Sequence, residues 1–217
     1  MEPQSTYLVF GGTGRTGRHF ITLALARGHA VRALARRPEN FGIESPNLTL
    51  IKGSISDPGI LEELVHGVDC VVAMLGDAKA QRISKVNANF VKELIPAMRR
   101  HGVDRFLYQA GSATRPYKGR LQPFQWLMRN TLVRINGLSG QHEDNEAVIE
   151  YLVEQAQDIA WVVHRASIFS DGPSKGVLQR SRRRISIATF VDTAAHNYEL
   201  LQDPSAVHTY DASRYAH

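Results

Sequence analysis

Residues 7–20 read YLVFGGTGRTGRHF, an apolar run followed by four glycines within seven positions and then a helical pattern. Glycine weakens both a strand end and a helix start, so its repeated use at one junction marks a backbone constraint. Gly11, Gly14 and Gly17 stand three residues apart. At a strand-to-helix junction they permit a tight turn, a close approach to bare backbone, and a helix lying close on the sheet. Behind them Phe20, Leu23, Ala24 and Arg27 keep a three-four spacing, and Gly28 supplies a stop. The chain therefore opens as strand, glycine turn and helix.

The remainder repeats that alternation. Residues 6–10, 30–35, 48–51, 70–75, 105–110 and 159–164 are short runs rich in Val, Leu and Ile, bounded by Gly, Asp or Asn, and read as strands. Helical patterns lie near 15–27, 58–66, 82–101, 121–135, 142–157 and 187–202, with Asp57-Pro58 as the opening of the second. Strands alternating with helices predict a parallel sheet covered on both faces. With 217 residues, 43% hydrophobic and 22% charged, and no repeat or linker, the chain reads as one domain. No apolar run approaches the ~20 residues that span a bilayer. The first residues, MEPQS, lack the basic and apolar regions of a signal peptide. Cys70 is the only cysteine and reads as a buried structural thiol, so a reducing, cytoplasmic setting is expected. The net charge of +5 suits an anionic cofactor as well as nucleic acid.

The glycine turn points to a dinucleotide, whose phosphates would sit on the N–H groups and positive dipole end of the first helix. Thr13, Arg15 and Thr16 add donors or charge at the same place. A tight turn that binds nothing is the alternative. The second strand ends RALARRPE, where an acid would accept a hydrogen bond from the ribose 2′-hydroxyl of NAD. Arg36 and Arg37 stand there instead, and the first acid, Glu39, lies beyond a proline. Guanidinium forks suit a 2′-phosphate, which favours NADP(H) over NAD(H); a solvated basic loop end is the alternative.

On these residues the chain resembles the atypical short-chain dehydrogenase/reductases, specifically the NmrA-like, NAD(P)H-binding group that includes flavin and biliverdin reductases. The resemblance runs over nearly the whole chain and is most specific in VFGGTGRTGRHFITLALARGHAVRALARRPE. It implies a Rossmann-type, doubly wound parallel α/β sheet in a single domain, residues 1–217. KGSISD is similar to the segment that meets the adenine, implicating Ser54 and Asp57. VVAMLG resembles the strand behind the adenosine, implicating Met74, Leu75 and Gly76. RFLYQAGSAT resembles the fifth strand, whose end would bring Ala110, Gly111 and Ser112 beside the nicotinamide. IAWVVHRASIF departs from the family, because Ala166 replaces a proline. ISIATFVDTAAHNYELLQDP resembles the late helix that packs on the sheet.

The superfamily's usual Tyr, four residues before a Lys, is missing: Tyr117 is followed at once by Lys118, and Tyr151 by Gln155 at that spacing. Counting back from the sixth strand, the place falls on HEDNE, where His142 and Glu146 would share a helix face. An imidazole beside a carboxylate is a candidate acid–base pair, and a solvated helix end explains the same residues. Ser112 is a candidate hydrogen-bond donor to a carbonyl, or else a loop serine. His164 and Arg165 end the sixth strand, and His164 reads equally as a core histidine. A substrate pocket is expected from 111–141 and 165–185, with Phe124, Trp126, Met128 and Phe169 as apolar walls or core. QRSRRR (179–184) reads as a solvated loop, with contact to an anionic substrate or phosphate as the alternative. There is no zinc or calcium spacing, so no metal is expected.

The expected function is NADP(H)-dependent oxidation or reduction of a small aromatic or carbonyl-containing metabolite. The expected partner is that small molecule, not nucleic acid or membrane, acting on a monomer or weak homodimer. Two other classes fit the scaffold: a non-redox isomerase, cyclase or lyase using His142, and an NmrA-like sensor of dinucleotide.

Overall fold

The computed structural model describes residues 3–76, 78–133, 139–166 and 168–216. Within them the apolar runs form β1 (Thr6–Phe10), β2 (Ala30–Ala35), β3 (Leu48–Lys52), β4 (Cys70–Ala73), β5 (Arg105–Gly111) and β6 (Ala160–Ala166). The helices are α1 (Arg15–Ala26), α2 (Ile60–Val65), α3 (Ala78–Ile83), α4 (Val86–His101), α5 (Pro123–Met128), α6 (Ser139–Gln155) and α7 (Phe190–Gln202). Four further strands, β7 (Ile168–Ser170), β8 (Leu178–Ser181), β9 (Ile187–Thr189) and β10 (Ala212–Tyr215), have no counterpart among the sequence expectations.

The main sheet runs β3-β2-β1-β4-β5-β6-β10-β8, and only the β8–β10 pair is antiparallel. Strand order reverses between β1 and β4, which opens a crevice at the carboxyl ends of the strands. The expected doubly wound sheet is thus present, extended by an antiparallel edge. β7 and β9 form a separate parallel pair. That pair sits between β6 and α7 in the chain; β7 falls where no element was expected, and β9 takes the first three residues of the helix expected at 187–202.

Alternation along each strand divides the core. Leu8 and Phe10 face one cluster with Phe90, Leu94, Phe106, Val148, Leu152 and Trp161, under α4 and α6. Tyr7 and Val9 face the other, with Phe20, Ile21, Ala24, Tyr198 and Leu201, under α1 and α7. Covering both faces explains why the central strands read as continuous apolar runs. Cys70 is half-buried rather than fully buried, and desolvation pushes its thiol up to about 11. Among the described residues no helix is long and apolar enough to cross a membrane.

Several boundaries differ from the sequence reading for physical reasons. The helical pattern at 82–101 is two helices, because the buried carboxylate of Asp144 caps a fresh helix start. It accepts from the backbone amides of Asn87 (2.9 Å) and Ala88 (2.9 Å) in the first turn of α4. The second helix opens not at Pro58 but after Gly59, which takes φ +76. In the 121–135 stretch α5 passes into a π-type turn at Arg129–Val133, and residues 134–135 lie outside the described residues.

Candidate active site at the carboxyl edge of the sheet

The glycines leaving β1 serve different purposes. Gly11 has φ +81, and a Cβ on it would lie 2.3 Å from the Met74 carbonyl oxygen. A Cβ on Gly17 would lie 2.3 Å from the Gly11 carbonyl oxygen and 2.9 Å from the Gly12 Cα, so the first turn of α1 rests directly on the loop. Gly14 is different: its backbone is extended (φ −73, ψ 163), and a Cβ there would meet only the Gly11 oxygen, at 3.2 Å. The fold needs Gly11 and Gly17, whereas a side chain at Gly14 would meet only that one close oxygen. Arg15, Thr16 and Gly17 open α1, where amides have no intrahelical carbonyl to reach, and no acid occupies that turn. The donor set and the open cradle fit a pyrophosphate.

At the end of β2, Arg36 and Arg37 are exposed, and neither guanidinium has a hydrogen-bond or ion-pair partner among the described residues. Across the edge, the turn after β3 is closed by Asp57, whose Oδ2 accepts from the Ser54 amide (2.7 Å). Asp57 therefore shapes this turn as well as bordering the crevice. Met74, Leu75 and Gly76 leave β4 beside the glycine loop: the Met74 amide bonds Phe10, and its sulfur accepts from Asn197 (3.6 Å). A cleft of about 230 Å³ lies close by, between Ile55 and Ser56 on one side and Val86, Asn89 and Phe90 on the other.

The end of β5 carries the polar centre. Ala110 and Ser112 are buried, the Ser112 carbonyl accepts from Gln125 (3.1 Å), and its hydroxyl has no partner among the described residues. A Cβ on Gly111 would lie 3.0 Å from His142 Cε1, so the absent side chain makes room for the imidazole. His142 and Glu146 are both on α6, but the expected imidazole–carboxylate pair does not form. His142 Nδ1 meets Thr114 Oγ1 at 3.3 Å. Glu146 accepts instead from the Arg115 amide (3.0 Å), from Arg115 Nε (3.1 Å) and Nη2 (2.7 Å), and from Arg129 Nη1. Two guanidiniums outcompete a neutral imidazole for the carboxylate because those bonds are charge-assisted. Burial pushes Glu146 up, and the Arg115 and Arg129 hydrogen bonds more than offset it, leaving its carboxyl below the usual range. Burial lowers His142 to about 4, with Arg129 adding to the fall and Glu146 opposing it. Held there, the His142 ring is neutral at neutral pH.

The outer side of the crevice also departs from expectation. Phe124 and Trp126 are each 59% exposed on α5 and so belong to no core; nothing is described of the Met128 side chain. Phe169 stacks on Phe190 at 4.7 Å. Arg15 lies over that Phe190 ring at 4.0 Å and pairs with Asp171 at 3.1 Å. With Arg18, His19 and Gly172 they line a cleft of about 260 Å³. His164 is a core histidine: Asn197 and Ser213 hold its two nitrogens at 2.6 and 2.8 Å. Arg165 is buried, bonding the Tyr210 (2.8 Å) and Thr114 (3.1 Å) carbonyls. The 179–184 charge run is partly strand: β8 takes in Arg180, which donates to the Ser205 carbonyl (2.7 Å), and Arg182, Arg183 and Arg184 are exposed. Among the described residues no cluster of His, Cys, Asp or Glu is arranged to hold a metal.

A family model described as NAD(P)H-binding matches residues 11–213. The chain belongs to this NAD(P)H-binding family. It is 32% identical over 117 residues to the 3 beta-hydroxysteroid dehydrogenase/Delta 5-->4-isomerase of Mycobacterium tuberculosis, covering 49% of this chain and 31% of that protein. To the isoflavone reductase homolog IRL of Zea mays it is 31% identical over 116 residues, covering 47% of this chain and 38% of that one. The chain thus spans about a third of the length of these curated relatives. Among solved structures, ChuY, an anaerobillin reductase from Escherichia coli, superimposes with a TM-score of 0.74 at 17% identity, covering 96% of both chains. That likeness shows the fold.

For an NAD(P)H-binding chain, three residues at this edge escaped the sequence reading. Asp144 accepts from Gln81 (2.8 Å) besides the α4 amides. Asn145 accepts from the Tyr108 hydroxyl (2.6 Å), and Asp192 accepts from the Tyr215 hydroxyl (2.7 Å) and the Lys175 amide (2.9 Å). The available signal was an Asp-Asn pair inside a helical pattern, since such residues are poor helix formers unless a partner holds them.

Proposed function

We propose that the chain is an NADP(H)-dependent oxidoreductase acting on a small carbonyl-containing or aromatic metabolite. The observation that carries this reading is the pairing of the Gly14 cradle with two guanidiniums that have no partner among the described residues, and no acid, at the end of β2. Phosphates would rest on the first amides of α1, and Arg36 and Arg37 would hold a 2′-phosphate by charge-assisted bonds. When bound, the nicotinamide supplies or accepts hydride. The chain's own part is to place a substrate at the end of β5, beside Gly111, Ser112 and His142, and to offer its oxygen a hydrogen bond. The names of the relatives, a dehydrogenase and a reductase homolog, agree with that chemistry. The lone half-buried thiol suits a cytoplasmic setting.

The test is NADPH consumption followed with a panel of quinones, flavins and enones. Turnover of at least one acceptor, lost in Arg36→Ala/Arg37→Ala at low NADPH, is the expected result. Tight binding of NADPH with no consumption by any of them would overturn the redox reading in favour of a sensor or a non-redox enzyme.

A further inference from the structure

A chain of hydrogen bonds runs from the core to His142. Asn87 Nδ2 donates to the Tyr108 hydroxyl at 2.8 Å, and that hydroxyl donates to Asn145 Oδ1 at 2.6 Å. Tyr108 is fully buried, and burial raises its pKa, so its proton stays on the oxygen. With Oδ1 committed to the tyrosine, the Asn145 amide turns Nδ2 toward Thr114 Oγ1, at 3.4 Å. Thr114 Oγ1 accepts there, and in this fully buried place its own proton has no acceptor among the described residues other than His142 Nδ1, at 3.3 Å, so donation to that nitrogen is the arrangement that leaves no buried O–H unpaired. An Nδ1 that accepts carries no proton, so the ring's proton is on Nε2.

The surroundings keep the ring neutral. His142 is 6% exposed and packed on the bare Cα of Gly111. The charged groups around it are Arg129 and Glu146, which bond each other, Arg115, which holds the same carboxylate, and Arg165, which donates to the Thr114 carbonyl. Burial dominates and holds the imidazole at about 4. Nε2 has no hydrogen-bond partner among the described residues, yet it is not one of the sealed orphan atoms, which are Trp161 Nε1 and His196 Nε2.

We propose that Thr114 and Asn145 are positioning residues that lock His142 as the neutral Nε2–H tautomer, making it a hydrogen-bond donor to a substrate oxygen and not an imidazolium acid. The ligand chemistry this selects is a carbonyl or developing oxyanion, which an N–H stabilises without surrendering its proton. The inference deepens the reading above, in that it rests on a substrate lying at the end of β5.

The test is nitrogen NMR on ¹⁵N-histidine-labelled protein without cofactor or substrate, with the His142 signals identified by their loss in His142→Gln. The expected spectrum is a neutral ring with a protonated Nε2 and an accepting Nδ1, unchanged from about pH 8 to about pH 5.5. Thr114→Val is expected to give a mixture of tautomers and Thr114→Ser to restore one. A protonated Nδ1, an imidazolium at about pH 7, or a Thr114→Val spectrum identical to the wild type would overturn the proposal. The wild-type spectrum needs no variant of Thr114 to fold. It is also independent of the acceptor panel: inert NADPH refutes the oxidoreductase reading alone, and the wrong tautomer refutes this inference alone.

Discussion

The three glycines of the β1–α1 turn separate folding from binding, and substituting them one at a time tests that division. In Gly17→Ala the new Cβ falls 2.3 Å from the Gly11 oxygen and 2.9 Å from the Gly12 Cα, both backbone atoms that cannot rotate away. The helix start must lift off the loop, at an overpacking penalty of about 1–3 kcal/mol. In Gly14→Ala the Cβ meets one oxygen at 3.2 Å, in a backbone conformation any residue adopts. Stability should then stay within about 1 kcal/mol of the wild type, because the lower entropy of the unfolded chain offsets the tight contact. Gly14→Val adds two methyls over the same amides. NADPH affinity should fall at least ~100-fold, which is about 2.8 kcal/mol at 1.4 kcal/mol per factor of ten. Urea unfolding gives the first quantity and calorimetric titration the second. A Gly14→Val protein that folds and binds NADPH like the wild type would refute the reasoning, as would a Gly17→Ala protein of undiminished stability.

Three buried histidines make stability depend on pH. Burial holds His142 at about 4, His164 at about 3 and His196 at about 4. These lie below the unfolded value of ~6.5, so the unfolded chain binds more protons in the window between, and stability falls as pH drops below that value. Each is expected to remove up to about 2 kcal/mol between about pH 7.5 and about pH 5, and denaturant unfolding at the two pH values measures it. A flat profile would mean that these rings are solvated. Asp144→Ala leaves two buried α4 amides and the Gln81 side chain without their acceptor, and should cost about 1–3 kcal/mol. Unchanged unfolding would show that α4 is capped by something else.

The first half of the architecture was legible because its signals are local. The glycine turn, the apolar strands and the three-four spacing of Phe20, Leu23 and Ala24 all act within a few residues. What the sequence hid depends on distant partners. β8 (Leu178–Ser181) is the edge strand and β10 (Ala212–Tyr215) the short strand that joins it to β6, and neither is recognisable until it is paired. The break before α4 is made by Asp144, 57 residues beyond Asn87. The i,i+4 rule placed His142 and Glu146 on one face correctly, but it could not show Arg115 and Arg129 arriving from elsewhere to take the carboxylate. Candidate site residues could be named at strand ends because the fold brings those ends to one edge, whereas Thr114 and Asn145 stand out only through what they bond.

The measurement that bears most directly on the cofactor site is paired calorimetric titration of the wild-type protein with NADPH and with NADH. With the Arg36 and Arg37 guanidiniums exposed and without a partner among the described residues at the end of β2, NADPH should bind at least ~10-fold more tightly, about 1.4 kcal/mol, within reach of one charge-assisted phosphate contact. The difference should vanish in Arg36→Ala/Arg37→Ala, with NADH affinity unchanged. Equal affinities in the wild type, or a preference for NADH, would contradict the assignment of that strand end to a 2′-phosphate.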